Sequence, residues 1–170
     1  MKNKNLFIDT SAFMCMHCSD KTKAKQAVGF FSNKFNDTLH MSLEQVGMCD
    51  DVVWSYARDV QNAYYPFMDR LHSEMNIVRI PYTRADVEFA LTDPTFEGVR
   101  LFHALVLAQV VNHQGHLYTA NSFLLNDSRF NSIVSPVYEN DSSTFGEVMQ
   151  TFYERSSVLT VHNDVISHAY

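Results

Sequence analysis

Asp9 closes a run of three apolar residues, Leu6-Phe-Ile8, and is followed at once by the hydroxyls of Thr10 and Ser11. A short apolar run closed by polar residues reads as a buried strand. A carboxylate at the carboxyl end of such a strand stands where open α/β sheets bind their ligands. Glu44 falls in the first turn of a helix that Ser42 and Gln45 open with capping-box spacing. His103 interrupts a helical stretch over about 97–113 that is otherwise apolar almost all round, and burying an imidazole there requires a hydrogen-bond partner or a metal. Arg100 precedes it by one turn, and Asn121 stands just past another apolar run, 116–120. Asp9, Glu44, His103 and Asn121 are thus expected to converge at strand and helix ends. Two smaller signals stand beside them. Cys15-Met-His17-Cys18 has Cys-x-x-Cys spacing, but no second pair follows to complete a zinc site, and it lacks the strand-to-helix turn of a thioredoxin motif. Asp50 and Asp51 read as acids favoured at a helix start.

The elements that must position these residues follow from pattern. Helices are expected over about 20–35, from Ser42, from Asp50-Asp51 to about 75, from Thr83 to Thr92, over 97–113, and from Thr144 to about 155. Pro66 is expected to kink or split the third of these. Strands are expected at the amino terminus, at 38–41, 76–80, 116–120 and 157–161, with irregular polar chain over 126–142. The final nine residues read as a short helix or a tail. Strands alternating with helices give an α/β fold: one domain over residues 1–170, three-layered, with a central, mostly parallel five-stranded sheet flanked by helices.

Composition agrees. The chain of 170 residues is 46% hydrophobic and 19% charged, which is globular, and it is aromatic-rich with 13 Phe and 8 Tyr. No apolar run approaches the ~18 residues that span a bilayer, and the apolar run after the basic start is too short for a signal peptide. A net charge of −6 argues against a polyanion-binding surface, although Lys21, Lys23, Lys25 and Lys34 gather in one segment. The odd count of three cysteines, Cys15, Cys18 and Cys49, suits a reducing compartment, and a cytoplasmic location is expected.

At three places the sequence resembles the PIN-domain family: Leu6-Phe-Ile-Asp9-Thr-Ser11, Ser42-Leu-Glu44-Gln-Val-Gly47, and the run from His103 to Thr119-Ala-Asn121. The resemblance spans roughly residues 5–126. It implies a cluster of three or four acidic residues holding Mg²⁺ or Mn²⁺ for RNA cleavage, and often a homodimer. On this chain the first two acids map to Asp9 and Glu44, whereas the third and fourth fall on His103 and Asn121. Two carboxylates offset too little charge for a pair of divalent ions, and imidazole suits iron or zinc better. The resemblance therefore implies a PIN-like metal-dependent hydrolase acting on RNA, with Asp9, Glu44 and His103 as metal ligands. Asn121 joins them in the catalytic set, and Thr10, Ser11, Arg100, His17 and His40 support it. Two alternatives stay open: a PIN fold recruited to small-molecule chemistry around a single iron, manganese or zinc ion, and a catalytically silent binding module.

Overall fold

A computed structural model describes residues 4–138 and 143–168 of the protein. Five parallel strands run β1 (Asn5–Ile8), β2 (Thr38–Ser42), β3 (Asn76–Ile80), β4 (Gly115–Thr119) and β5 (Val134–Pro136), in the spatial order β3-β2-β1-β4-β5. Nine helices lie among the described residues: α1 (Thr10–Met14), α2 (Lys21–Asn33), α3 (Leu43–Trp54), α4 (Arg58–Glu74), α5 (Arg84–Thr92), α6 (Leu101–Asn112), α7 (Ser122–Asn126), α8 (Glu147–Ser156) and α9 (Asn163–His168).

The period of two in the strands separates two cores and so makes three layers. Ile8, Leu39, Met41 and Ile77 face one core, where they meet Phe13 of α1, Phe30 and Phe31 of α2, Val52 and Val53 of α3, Tyr64 and Phe67 of α4, Met149 of α8 and Ile166 of α9. Phe7, Leu117 and Val134 face the other, against Ala90 of α5, Leu107 and Val110 of α6 and Leu124 of α7. The sheet order is what assembles a site. It places β1 centrally between β2 and β4, so the residues after Ile8, Ser42 and Thr119 emerge side by side at one edge.

Four local expectations are corrected. The fifth strand is Val134–Pro136, not 157–161; in the latter segment only Val161 pairs, in a single parallel bridge to Cys18, while Leu159 turns into the core. A proline at the end of an edge strand removes no ladder bond, which is why this short strand tolerates Pro136. The helix opened by Ser42 runs through Asp50 and Asp51 to Trp54, and the break falls at Ser55–Ala57. Pro66 does not split α4; with Asn62 it lies on the solvent-exposed face of the helix. Gly146, not Thr144, precedes α8, without a side-chain cap. Residues 139–142 of the expected irregular stretch, and 169–170 of the expected terminal helix or tail, lie outside the described residues. No helix among the described residues is long and apolar enough to cross a membrane.

Candidate functional site

Asp9 is the first residue past β1 and caps α1, its Oδ1 accepting the Ala12 N–H at 2.8 Å. The same oxygen accepts the Ser11 hydroxyl at 2.7 Å, and Oδ2 accepts the Thr119 hydroxyl at 2.5 Å. Each hydroxyl is itself fed by a main-chain donor: Ala120 N–H gives to Ser11 Oγ at 2.9 Å, and Asn121 N–H to Thr119 Oγ1 at 3.0 Å. Protons thus point one way along both arms, from main chain to hydroxyl to carboxylate. The two hydroxyl oxygens lie 2.9 Å apart. When Asp9 is protonated, its O–H can give to Thr119 and Thr119 to Ser11, so the network closes in either state. Asp9 is only 5% exposed, and burial raises its carboxyl above the ordinary range. The hydrogen bonds from Thr119, Ala12 and Ser11 oppose that rise without cancelling it.

Asn121 and His103 face each other. Asn121 caps α7, its Oδ1 accepting the N–H groups of Phe123 at 2.9 Å and Leu124 at 3.4 Å. That fixes the amide orientation, so Nδ2 is the group 3.0 Å from His103 Nε2. An amide nitrogen only donates, hence Nε2 accepts and the neutral ring carries its proton on Nδ1. The ring lies between Phe102, edge-on at 4.5 Å, and Phe123, stacked at 5.9 Å.

Glu44, half-buried in the first turn of α3, is occupied differently. Its Oε2 accepts the Tyr82 hydroxyl at 2.7 Å, and Ser42 Oγ gives to the same phenol oxygen at 3.1 Å. Burial, more than the neighbouring Glu44 carboxylate, pushes the Tyr82 phenol far above its ordinary range. Ser42 caps α3 through Gln45 N–H, but the Gln45 side chain does not return to complete the capping box. It turns to α1, where Oε1 accepts Thr10 N–H at 2.8 Å and lies 2.7 Å from the Thr10 hydroxyl.

The structure therefore joins Asp9, Ser11, Asn121 and His103 in one chain of contacts through Thr119, and links Thr10 and Glu44 to it along α1 and α3. Other expected members lie elsewhere. His17 is buried against Tyr64, Phe67 and Tyr153, with Nε2 2.7 Å from Ser156 Oγ, and burial lowers its pKa to about 3. His40 lies within β2, stacked on Phe7 at 5.2 Å, and lines a cavity of about 820 Å³ with Lys4, Lys34 and His116. Arg100 is exposed just before α6. Thr119, Gln45 and Tyr82 are site residues that sequence reasoning missed. Thr119 left a signal, being the hydroxyl residue that ends β4, the neighbour of Asp9's strand.

In this arrangement the donor atoms of the site face protein partners. Asp9 has protein donors on both oxygens, His103 Nε2 is spent on Asn121, and Asn121 Oδ1 is spent on α7. Among the described residues no three His, Cys, Asp or Glu side chains are grouped to hold one ion. What the arrangement does as it stands is tie β1, β4, α1, α6 and α7 together at one sheet edge. Around that edge Leu43, Leu101 and Phe123, at the amino ends of α3, α6 and α7, stay exposed.

A model for a family of unknown function (DUF6190) matches residues 1–166. No curated protein and no solved structure matches the chain.

Proposed function

The chain belongs to the family of unknown function DUF6190, and we propose that it is a PIN-like domain kept for binding, in which the acidic site has become a hydrogen-bonded lock. The observation that carries this reading is the state of Asp9, whose two carboxylate oxygens are filled by Ser11, Ala12 and Thr119. His103 and Asn121 stand where the resemblance implies acids, and they pair with each other at 3.0 Å. A lock of this kind holds the edge rigid and leaves recognition to what surrounds it. The surrounding groups are apolar, with Leu43 52%, Leu101 53% and Phe123 45% exposed. Exposed apolar residues around a hydrogen-bonded polar centre suit a protein partner, whereas a net charge of −6 disfavours RNA. A reducing, cytoplasmic setting is part of the proposal and agrees with three unbridged cysteines.

One observation favours a second reading. Asp9 and Glu44 leave the ends of adjacent strands in the order the PIN resemblance implies, as a metal-dependent RNA phosphodiesterase requires. That reading needs Glu44 to leave Tyr82 and His103 to leave Asn121. A small-molecule enzyme built on iron, manganese or zinc needs the same rearrangement. Incubating the full chain with labelled single-stranded and structured RNA, with Mg²⁺ or Mn²⁺, separates the readings. The lock predicts intact RNA at every metal concentration. Cleavage that needs metal and disappears in Asp9→Asn establishes the hydrolase instead.

A further inference from the structure

The site above leaves the Cys-x-x-Cys segment unused, and its geometry is that of a reactive pair. Cys15 opens a 3-10 turn that ends at His17, and Cys18 leaves that turn in extended conformation. The turn brings the two sulfurs to 3.8 Å, with the Cys15 thiol directed at Cys18 Sγ. A disulfide needs sulfurs about 2 Å apart, a gap that rotation of the two side chains can close, since cysteines three apart on one turn are neighbours. We propose that Cys15 and Cys18 are a redox-active dithiol that hydrogen peroxide converts to an intramolecular disulfide. This inference is independent of the reading of Asp9.

The surroundings assign the roles. Cys18 Sγ is the sulfur that receives the Cys15 hydrogen bond, which is the largest cause lowering the Cys18 thiol below its ordinary value, and the same pairing holds Cys15 far above. Lys23 stands near both sulfurs and favours a thiolate. Cys18 is accordingly the nucleophile and Cys15 the resolving thiol. Both side chains are buried, so the oxidant class is one of near-water size, not a peptide disulfide. The Cys18 thiolate attacks one peroxide oxygen and the O–O bond breaks. Sulfur keeps that oxygen as a sulfenic acid, and the second oxygen leaves as hydroxide and takes up the Cys18 proton to become water. Cys15 sulfur then attacks Cys18 sulfur and the S–O bond breaks. The departing hydroxide takes the Cys15 proton as a second water. Two thiols and one peroxide give one disulfide and two waters.

The neighbouring chain gives the reaction a structural reach. Cys18 forms the bridge to Val161, with Ser19 N–H on Val161 O and Val161 N–H on His17 O, both at 2.8 Å. Val161 is the anchor from which α9 runs back over α1 and α7, so the disulfide forms at the root of the segment that covers Thr10 and Ser11. Cys49 serves as an internal control: it is buried, and burial holds its thiol well up.

The test is hydrogen peroxide on the folded, reduced full chain at neutral pH, followed by acid quenching, alkylation and peptide mass mapping. Alkylatable thiols are expected to fall from three to one, with a 2 Da loss in the peptide that holds both Cys15 and Cys18, Cys49 still alkylated, and full recovery on adding a dithiol reductant. Cys15→Ser is expected to stop at sulfenic or over-oxidised Cys18. Three alkylatable thiols after treatment, over-oxidation without an internal bond, or a disulfide that forms only in denaturant each overturn the proposal. If the serine variant does not fold, the wild-type map decides alone, with circular dichroism recording that the oxidised chain stays folded.

Discussion

Burial raises the Asp9 carboxyl although three hydrogen bonds favour its ionised form, so the charge itself opposes folding. For an acid whose folded pKa is raised, the native state holds its proton more tightly than the unfolded chain. The stability from that proton is complete below the ordinary value of 3.8 and is lost as pH rises through the raised folded value. Asp9→Asn keeps an oxygen for Ala12 and Ser11 and removes the charge. Its stability relative to wild type is therefore expected to improve between pH 4 and pH 8, as read from urea midpoints. Asp9→Ala instead strands the Ala12 N–H and two hydroxyls and is expected to cost about 1–3 kcal/mol at either pH. His17 has the opposite sign. Its pKa is lowered to about 3 by burial, so its contribution is present above the unfolded value of 6.5 and lost as pH falls toward 3. Wild type is expected to lose stability across that window at about 1.4 kcal/mol per pH unit from this group, and His17→Asn to flatten the acid limb. The polar character of these residues was legible in the sequence, but their partners were not. Asp9 and Asn121 stood out as polar residues at element ends, whereas Thr119 and Gln45 became site residues only through strand and helix neighbours far away in the chain.

At the scale of elements, the β1–β4 contact depends on a missing side chain. A Cβ on Gly115 would lie 2.6 Å from the Phe7 ring and 3.0 Å from Asn5 O. Phe7 is itself held between His40 and His113, so it has little room to move. Gly115→Ala is expected to cost on the order of 1–3 kcal/mol, measured by thermal or urea unfolding. The expected helix end near 113 agrees with α6, which closes at Asn112; beyond it the left-handed residue is Gln114, at φ 51°, and Gly115 is there for close packing. The helix start at Thr83 was legible, and the structure closes it as a capping box with Asp86, both partners being local. The fifth strand was not. The alternation in 157–161 imitates a strand, while Val134-Ser-Pro136 is too short and too polar to signal one, and only pairing with Leu117 and Thr119 defines it.

For the whole molecule, short strands alternating with helices were enough to give a parallel three-layer fold, since one central sheet must be covered on both faces. They gave convergence at one sheet edge for the same reason: β1 lies between β2 and β4. Pattern could not show which way each side chain at that edge turns, and that decides between a metal centre and a lock. The most direct test is thermal unfolding of wild type and Asp9→Asn at pH 7.5, with and without millimolar Mn²⁺ or Mg²⁺. A ligand that binds only the native state raises the midpoint by linkage. The lock predicts that neither ion moves the wild-type midpoint more than it moves that of Asp9→Asn, and that the variant remains folded. A metal-dependent rise in wild type that disappears in Asp9→Asn would contradict it and return Asp9 to the role of a metal ligand.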